Sequence, residues 1–252
     1  MPETARTRRT EEEPELPKKE VSSVAAGRLD LARKAITATK AVLNFGAGNQ
    51  VEALRNTQLN SMARLQVMRD DKYWEIAPEV RGIAAANPEA LIAAKADLAH
   101  GGNCGEHAWV AYHWLRQNGA GQNIQVSAKE GLDHAFVLIG DIQGADKDQD
   151  IAVSDPWPTR ARACLWEDHF AYTADRGKIE DYASMVADGE SKKSAIAAGL
   201  KLSAEGQAYV HAKASQEQTD EVVGKSRENH LWNHPNTEAS GHTFNYVNQD
   251  GR

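Results

Sequence analysis

At 252 residues, with 41% apolar and 26% charged side chains, the chain is long enough to bury one large core or two small ones. Its formal charge of -7, from 29 basic and 36 acidic side chains, excludes a generic grip on nucleic acid through phosphate neutralisation. Two cysteines, Cys104 and Cys164, with no CxxC pair, exclude a disulfide framework and a cysteine zinc site, and fit a reducing compartment.

The start, MPETARTRRTEEEPELPKKE, mixes Arg6, Arg8 and Arg9 with Glu11, Glu12 and Glu13. It lacks the apolar centre of a signal peptide, and residues 1–20 are expected to be a disordered leader. No run of about 18 apolar residues predicts a membrane span, and no Asn-x-Ser/Thr acceptor occurs, so a soluble chain is expected. Over residues 21–99 the apolar positions recur at helical spacing, first through Leu29, Ala32, Ala35 and Ile36, then through LNSMARLQVMRDD and EVRGIAAANPEALIAAKADLA. Asn87 and Pro88 read as the N-cap and first position of one of these helices. A helical region packed on a core is predicted.

The pattern changes at Gly101 and Gly102, where a core over residues 100–180 is expected to begin. The helix that starts at Cys104 should end at Asn118 and Gly119. NIQVSAK alternates, HAFVLIGD is a short buried run and IAVSDPW resumes after the polar turn DIQGADKDQD, predicting a three-stranded antiparallel sheet behind the cysteine helix. SKKSAIAAGLKLSAEGQAYVHAKASQEQTDEVV predicts a long helix within residues 181–224, despite Gly199 and Gly206. Residues 225–252, with His230, His234 and His242, read as a flexible tail. The fold class is therefore α+β.

The chemistry centres on GGNCGEHA. Asn103 is a good N-cap and Glu106 stands three residues later, a capping-box spacing that puts Cys104 at the first helical position. There the positive end of the macrodipole and unpaired N–H groups favour a thiolate and can hold an oxyanion, while Glu106 partly opposes this. Cys104, Ala108, Ala111 and Leu115 share one stripe, which sets the sulfur on the sheet-facing side. A nucleophilic sulfur needs a base and an orienting group. His134 opens one strand and Asp155 closes another; a hairpin within residues 141–150 brings both to one end of the sheet. Cys104, His134 and Asp155 are thus the candidate nucleophile, base and orienting carboxylate, with Asn103 and Glu106 as oxyanion or support residues. Trp157, two residues past Asp155, is expected to shield the pair from water.

GGNCGEHA, DHAFVLIG and IAVSDPW together resemble the Cys, His, Asp core of papain-like and transglutaminase-like enzymes. The resemblance covers roughly residues 100–158 and implies a cysteine helix on an antiparallel sheet, no cofactor and no metal. Compact arrangements of this kind are similar to bacterial effectors or toxins that deamidate or cleave host proteins. It implies a protein substrate, virulence and secretion by a route without a signal peptide into a target cell. The chain departs from the papain-like pattern at Leu98, where a glutamine would be usual, so Asn103 or a backbone N–H alone would have to serve, and Gln58 and Gln66 in the preceding helical region could fold in although nothing in the sequence places them. HGGNCGE also resembles the RGGxCxE signature of arylamine N-acetyltransferases, with His100 in place of arginine.

The expected reaction is thiol-dependent hydrolysis of side-chain carboxamides, with Gln/Asn deamidation placed ahead of papain-like proteolysis. Transglutamination, arylamine acyl transfer and a non-enzymatic helical interaction protein are the other readings. His107, one turn beyond Cys104, is a rival base with no evident orienting group. Cys104, Glu106, His107 and His113 are poor metal ligands because residues 107 and 113 lie on different helical faces. Cys164 reads as packing, and Asp133, beside His134, either tunes the site or only ends a turn.

Overall fold

The computed structural model describes residues 15–227 and 239–250. In chain order it forms β1 (Lys18–Val21), α1 (Ser23–Val42), α2 (Val51–Asn56), α3 (Asn60–Arg69), β2 (Trp74–Ile76), α4 (Pro78–Ala86), α5 (Pro88–Ala99) and α6 (Cys104–Asn118). Then come β3 (Asn123–Lys129), β4 (Ala135–Ile139), β5 (Ala152–Ser154), β6 (Cys164–Leu165), β7 (Ile179–Val186), α7 (Lys193–Ala198), β8 (Leu200–Leu202), α8 (Ala204–His211), α9 (Gln216–Arg227) and β9 (Asn245–Asn248). The class is α+β, as the switch from helical to alternating periodicity predicts.

The central sheet has the order β6-β5-β4-β3-β7 with antiparallel neighbours, so the three expected strands are its middle. β4 pairs with β5 through Val137–Ser154, Leu138–Val153 and Ile139–Ala152, the hairpin that the polar turn requires. Arg28 fastens that turn to α1, donating to Asp150 O at 2.7 Å and reaching the Asp146 carboxylate at 2.8 Å.

Both faces of the sheet are covered, which is why β4 is buried at every position rather than alternating. On one face Val126, Val137 and Ile139 pack with Ala25, Leu29, Ala108, Ala111 and Leu115 of α1 and α6. The small alanines let α6 lie close. On the other face Phe136, Leu138 and Val153 pack with Trp166, Cys164 and Ile179. A second core, with Val67, Trp74, Ala90, Ala93, Ile196 and Val210, joins α3, α5, α7 and α8.

Three expectations need correction. The single long helix of residues 181–224 is replaced by the end of β7, three helices and β8. Gly199 ends α7 where an added Cβ would lie 2.6 Å from Val80 Cγ2, and Ser203 starts α8 by accepting from Gly206 N at 3.1 Å. The leader and the tail are not wholly without structure: Lys18–Val21 and Asn245–Asn248 pair as parallel strands. Neither segment is apolar enough to order alone, and each supplies the other's backbone partners. Residues 1–14, 228–238 and 251–252, including His230 and His234, lie outside the described residues. Among the described residues no helix is long and apolar enough to cross a membrane.

Candidate active site

The start of α6 explains the glycine pair. An added Cβ on Gly102 would stand 2.3 Å from Glu106 Cβ, and one on Gly101 would stand 2.9 Å from Arg64 Cβ. Arg64 is a buried strut: it donates to Asn60 Oδ1 and Ala99 O, both at 2.7 Å, and stacks on Phe45 at 3.5 Å. Glu106 closes its half of the capping box, accepting from Asn103 N at 2.6 Å. Asn103 Oδ1 is buried and makes no hydrogen bond of normal geometry. The negative charge of Glu106 is met by Arg69, which donates to its two oxygens at 3.0 and 3.2 Å. The opposition to a thiolate expected from Glu106 is therefore reduced by a bidentate partner.

Cys104 sits partly exposed at the first position of α6, and Gly105 beside it faces open space. His134 and Asp155 are buried at the same end of the sheet, with Nε2 of the histidine 2.7 Å from Asp155 Oδ2. Cys104 acts electrostatically on the same imidazole and favours its protonated form. Since Nε2 is engaged by Asp155, Nδ1 is the nitrogen left for sulfur. Nδ1 is buried without a closed hydrogen bond, a looseness common in unliganded catalytic sites.

Burial is the largest influence on His134 and disfavours its charge, but Asp155, aided by Cys104, outweighs it and raises the imidazole pKa to about 10. Burial would likewise raise the Asp155 carboxyl, yet the charges and hydrogen bonds of His134 and His169 hold it below the usual carboxylate range. The pair therefore prefers imidazolium and carboxylate, and a charged imidazole is the counter-ion that a thiolate needs.

The sequence gives no sign of His169. Its Nε2 lies 3.2 Å from the same Asp155 Oδ2, and its Nδ1 accepts from Ala171 N at 3.3 Å. That backbone donor leaves the proton on Nε2, so His169 donates to Asp155. Asp155 Oδ1 accepts from Trp157 N at 3.2 Å, which completes the carboxylate's setting. His134, Asp155 and His169 stand close enough together to be considered for a cation, but His169 offers Asp155 an N–H rather than a lone pair.

Aromatic rings enclose the imidazole of His134. Trp157 lies 4.9 Å away between ring centres and Phe170 5.0 Å away, as the shielding role of Trp157 requires. The Trp157 indole N–H donates to Asn49 Oδ1 at 2.9 Å, tying the ring to the loop before α2. That loop also borders Gly102 through a bridge from Ala47. A cavity of about 240 Å³, lined by Lys40, Gln50, Glu52 and Trp157 among others, opens beside it. Gln50 is buried with Nε2 unpartnered. Gln58 and Gln66 instead border a separate groove with Tyr209 and α9.

His107, the rival base, is engaged within its own helix. Its Nδ1 donates to Asn103 O at 2.8 Å, tethering the first turn, and its Nε2 is buried without a partner. Burial, then the charge of Lys40, lowers its pKa to about 3. His113 lies deep in α6 against Ser191, with Nδ1 3.0 Å from the hydroxyl. Cys164 is buried in the sheet's far face, where burial raises its thiol pKa.

In comparisons with protein-family models, curated proteins and solved structures, the chain matches none.

Proposed function

We propose that the chain is a thiol-dependent amidohydrolase of papain-like or transglutaminase-like design that acts on side-chain carboxamides of proteins. The observation that carries this reading is a buried imidazole, His134, held 2.7 Å from a buried carboxylate, with Cys104 at a helix start acting electrostatically on the same ring. Cys104 Sγ attacks the carboxamide carbon, and the oxyanion meets the free N–H groups of the first turn of α6. The C–N bond breaks as His134 passes its proton to the leaving nitrogen, releasing ammonia and leaving a thioester. Water then attacks the thioester, gives a proton to His134 and restores the thiol, with a side-chain carboxylate as product. Asp155 keeps the imidazole oriented through the cycle and stabilises its cation whenever it holds the proton, and the ring cage of Trp157 and Phe170 keeps water from the ion pair.

A protein mixture treated with the wild type and with Cys104→Ala tests this by mass spectrometry. Deamidation appears as a gain of about one dalton without chain cleavage, present only with the wild type. Shorter fragments would replace deamidation by proteolysis, and identical profiles for the two proteins would sink the enzyme reading.

A further inference from the structure

The strand β7 is an edge of the central sheet, pairing only with β3 among the described residues. Its register shifts between Val126 and Ser127: Val126 faces Ala183 and Ser127 faces Asp181, so Tyr182 is the extra residue of a β-bulge. Glu180 pairs with Ala128, which pairs with Ala135 next to His134. The catalytic end of β4 and the start of β7 thus lie in one row, two strand spacings or about 10 Å apart. Alternation puts Glu180 on the face that α6 covers, because Val126, two residues before Ala128, packs under that helix.

Tyr182 is 53% exposed, unusual for a large ring, and its hydroxyl donates to Glu180 Oε2 at 3.0 Å. The row that links Glu180 to Ala135 sets the pair on the side of the sheet where His134 lies, and Asp133 and Cys104 both act electrostatically on that hydroxyl. Among the described residues, neither Glu180 nor Asp133 has a cationic partner, whereas Glu106, Asp146, Asp148 and Asp168 are all paired. A carboxylate braced against an exposed ring, at a strand edge with unused backbone groups, is suited to a cation on an extended chain.

We propose that the Tyr182 and Glu180 pair is a subsite for a cationic side chain, so that the substrate is an extended protein segment carrying Arg or Lys close to the reacting carboxamide and laid along β7. This rests on Cys104 being the nucleophile of the proposed reaction.

The test uses two chloroacetyl dipeptides of equal length, one with Arg and one with Glu, and follows alkylation of Cys104 by mass spectrometry. The reaction is run at pH 9, where thiols react whether or not they are activated, and each rate is divided by that of iodoacetamide on the same protein. The wild type should favour the Arg probe by about fivefold. Glu180→Lys should invert the preference and Tyr182→Ala should reduce it. Glu190→Lys changes net charge by the same amount beside Arg116, at the far end of α6 and about 18 Å from Cys104, and should leave the ratio unchanged. A wild-type ratio near one, an unchanged ratio in Glu180→Lys, or an equal shift in Glu190→Lys would overturn the subsite. So would a concentration-dependent dimer abolished by Glu180→Lys, which would mean that a second copy occupies the edge. Slow iodoacetamide labelling at pH 6 would instead count against the nucleophile reading, leaving the pH 9 ratio to report on the subsite.

Discussion

His169 Nε2 lies 3.2 Å from the same Asp155 oxygen that His134 Nε2 approaches at 2.7 Å. Two donors on one buried oxygen fix the carboxylate in two directions, so removing His169 should loosen the orientation of His134. His169→Leu should lower the turnover rate by about tenfold, on the scale of one hydrogen bond to a charged group. His169→Gln, which can still donate an N–H, should recover most of that loss. Equal loss in both variants, with unchanged unfolding midpoints, would show that the second donor does not position Asp155.

Stability should fall on both sides of neutrality. The His134 pKa rises from 6.5 to about 10 on folding, so its contribution is full below pH 6.5 and is lost as pH rises towards 10. Those of His107 and His113 fall to about 3 and about 4, chiefly through burial, so their contributions are present above pH 6.5 and are lost as pH falls. Urea midpoints at pH 5, 7 and 9 measure both limbs. His134→Gln should flatten the alkaline limb. His107→Gln with His113→Gln should remove up to about 1.4 kcal/mol per pH unit per histidine from the acid limb. Unaltered slopes in these variants would refute the assignments.

Gly102→Ala should be costly out of proportion to one methyl group. The new Cβ meets Glu106 Cβ, so either the glycine turn or the first turn of α6 must move. Destabilisation of about 1–3 kcal/mol is expected from the forced shift. Labelling of Cys104 by iodoacetamide should slow at the same time. A variant with wild-type stability and labelling would show that the turn yields freely.

Trp157 separates packing from its polar tie. Trp157→Phe keeps a ring against His134 but abolishes the donation to Asn49, and should cost about 1 kcal/mol. Trp157→Ala also opens the ring cage and should cost about 3–5 kcal/mol. Unfolding curves distinguish the two. Similar costs would mean that the hydrogen bond, rather than the ring, holds this corner.

The juxtaposition of His134 with Asp155 was legible because a hairpin is a reflection: once the polar turn is located, strand ends equidistant from it must meet. The placement of Cys104 at the start of α6 was legible from its cap. His169 was not, since it arrives by way of the two-residue strand β6 and a short turn that leave no periodic trace. β7 was hidden because IEDYASMV has one solvated edge and a bulge that breaks its alternation at Tyr182. The long helix failed at Gly199 for a tertiary reason, the approach of Val80, which no local pattern records. Burial of Gln50, and the role of Asn49 in holding Trp157, likewise depend on a loop whose neighbours are some 50 to 110 positions away.

The pairing of β1 with β9 sets the order in which the molecule can be finished. Tyr246 donates to Asp168 at 2.9 Å and Lys19 reaches the same carboxylate at 2.7 Å, so two far-separated stretches grip the residue immediately before His169. During synthesis the helices and the β3, β4, β5 meander can form while the chain is still growing, but this clasp must wait for Tyr246. Completion of the second donor to Asp155 is thereby coupled to the meeting of β1 with β9, so a nascent chain holds the Cys104 thiol before it holds a fully braced His134 and Asp155 pair.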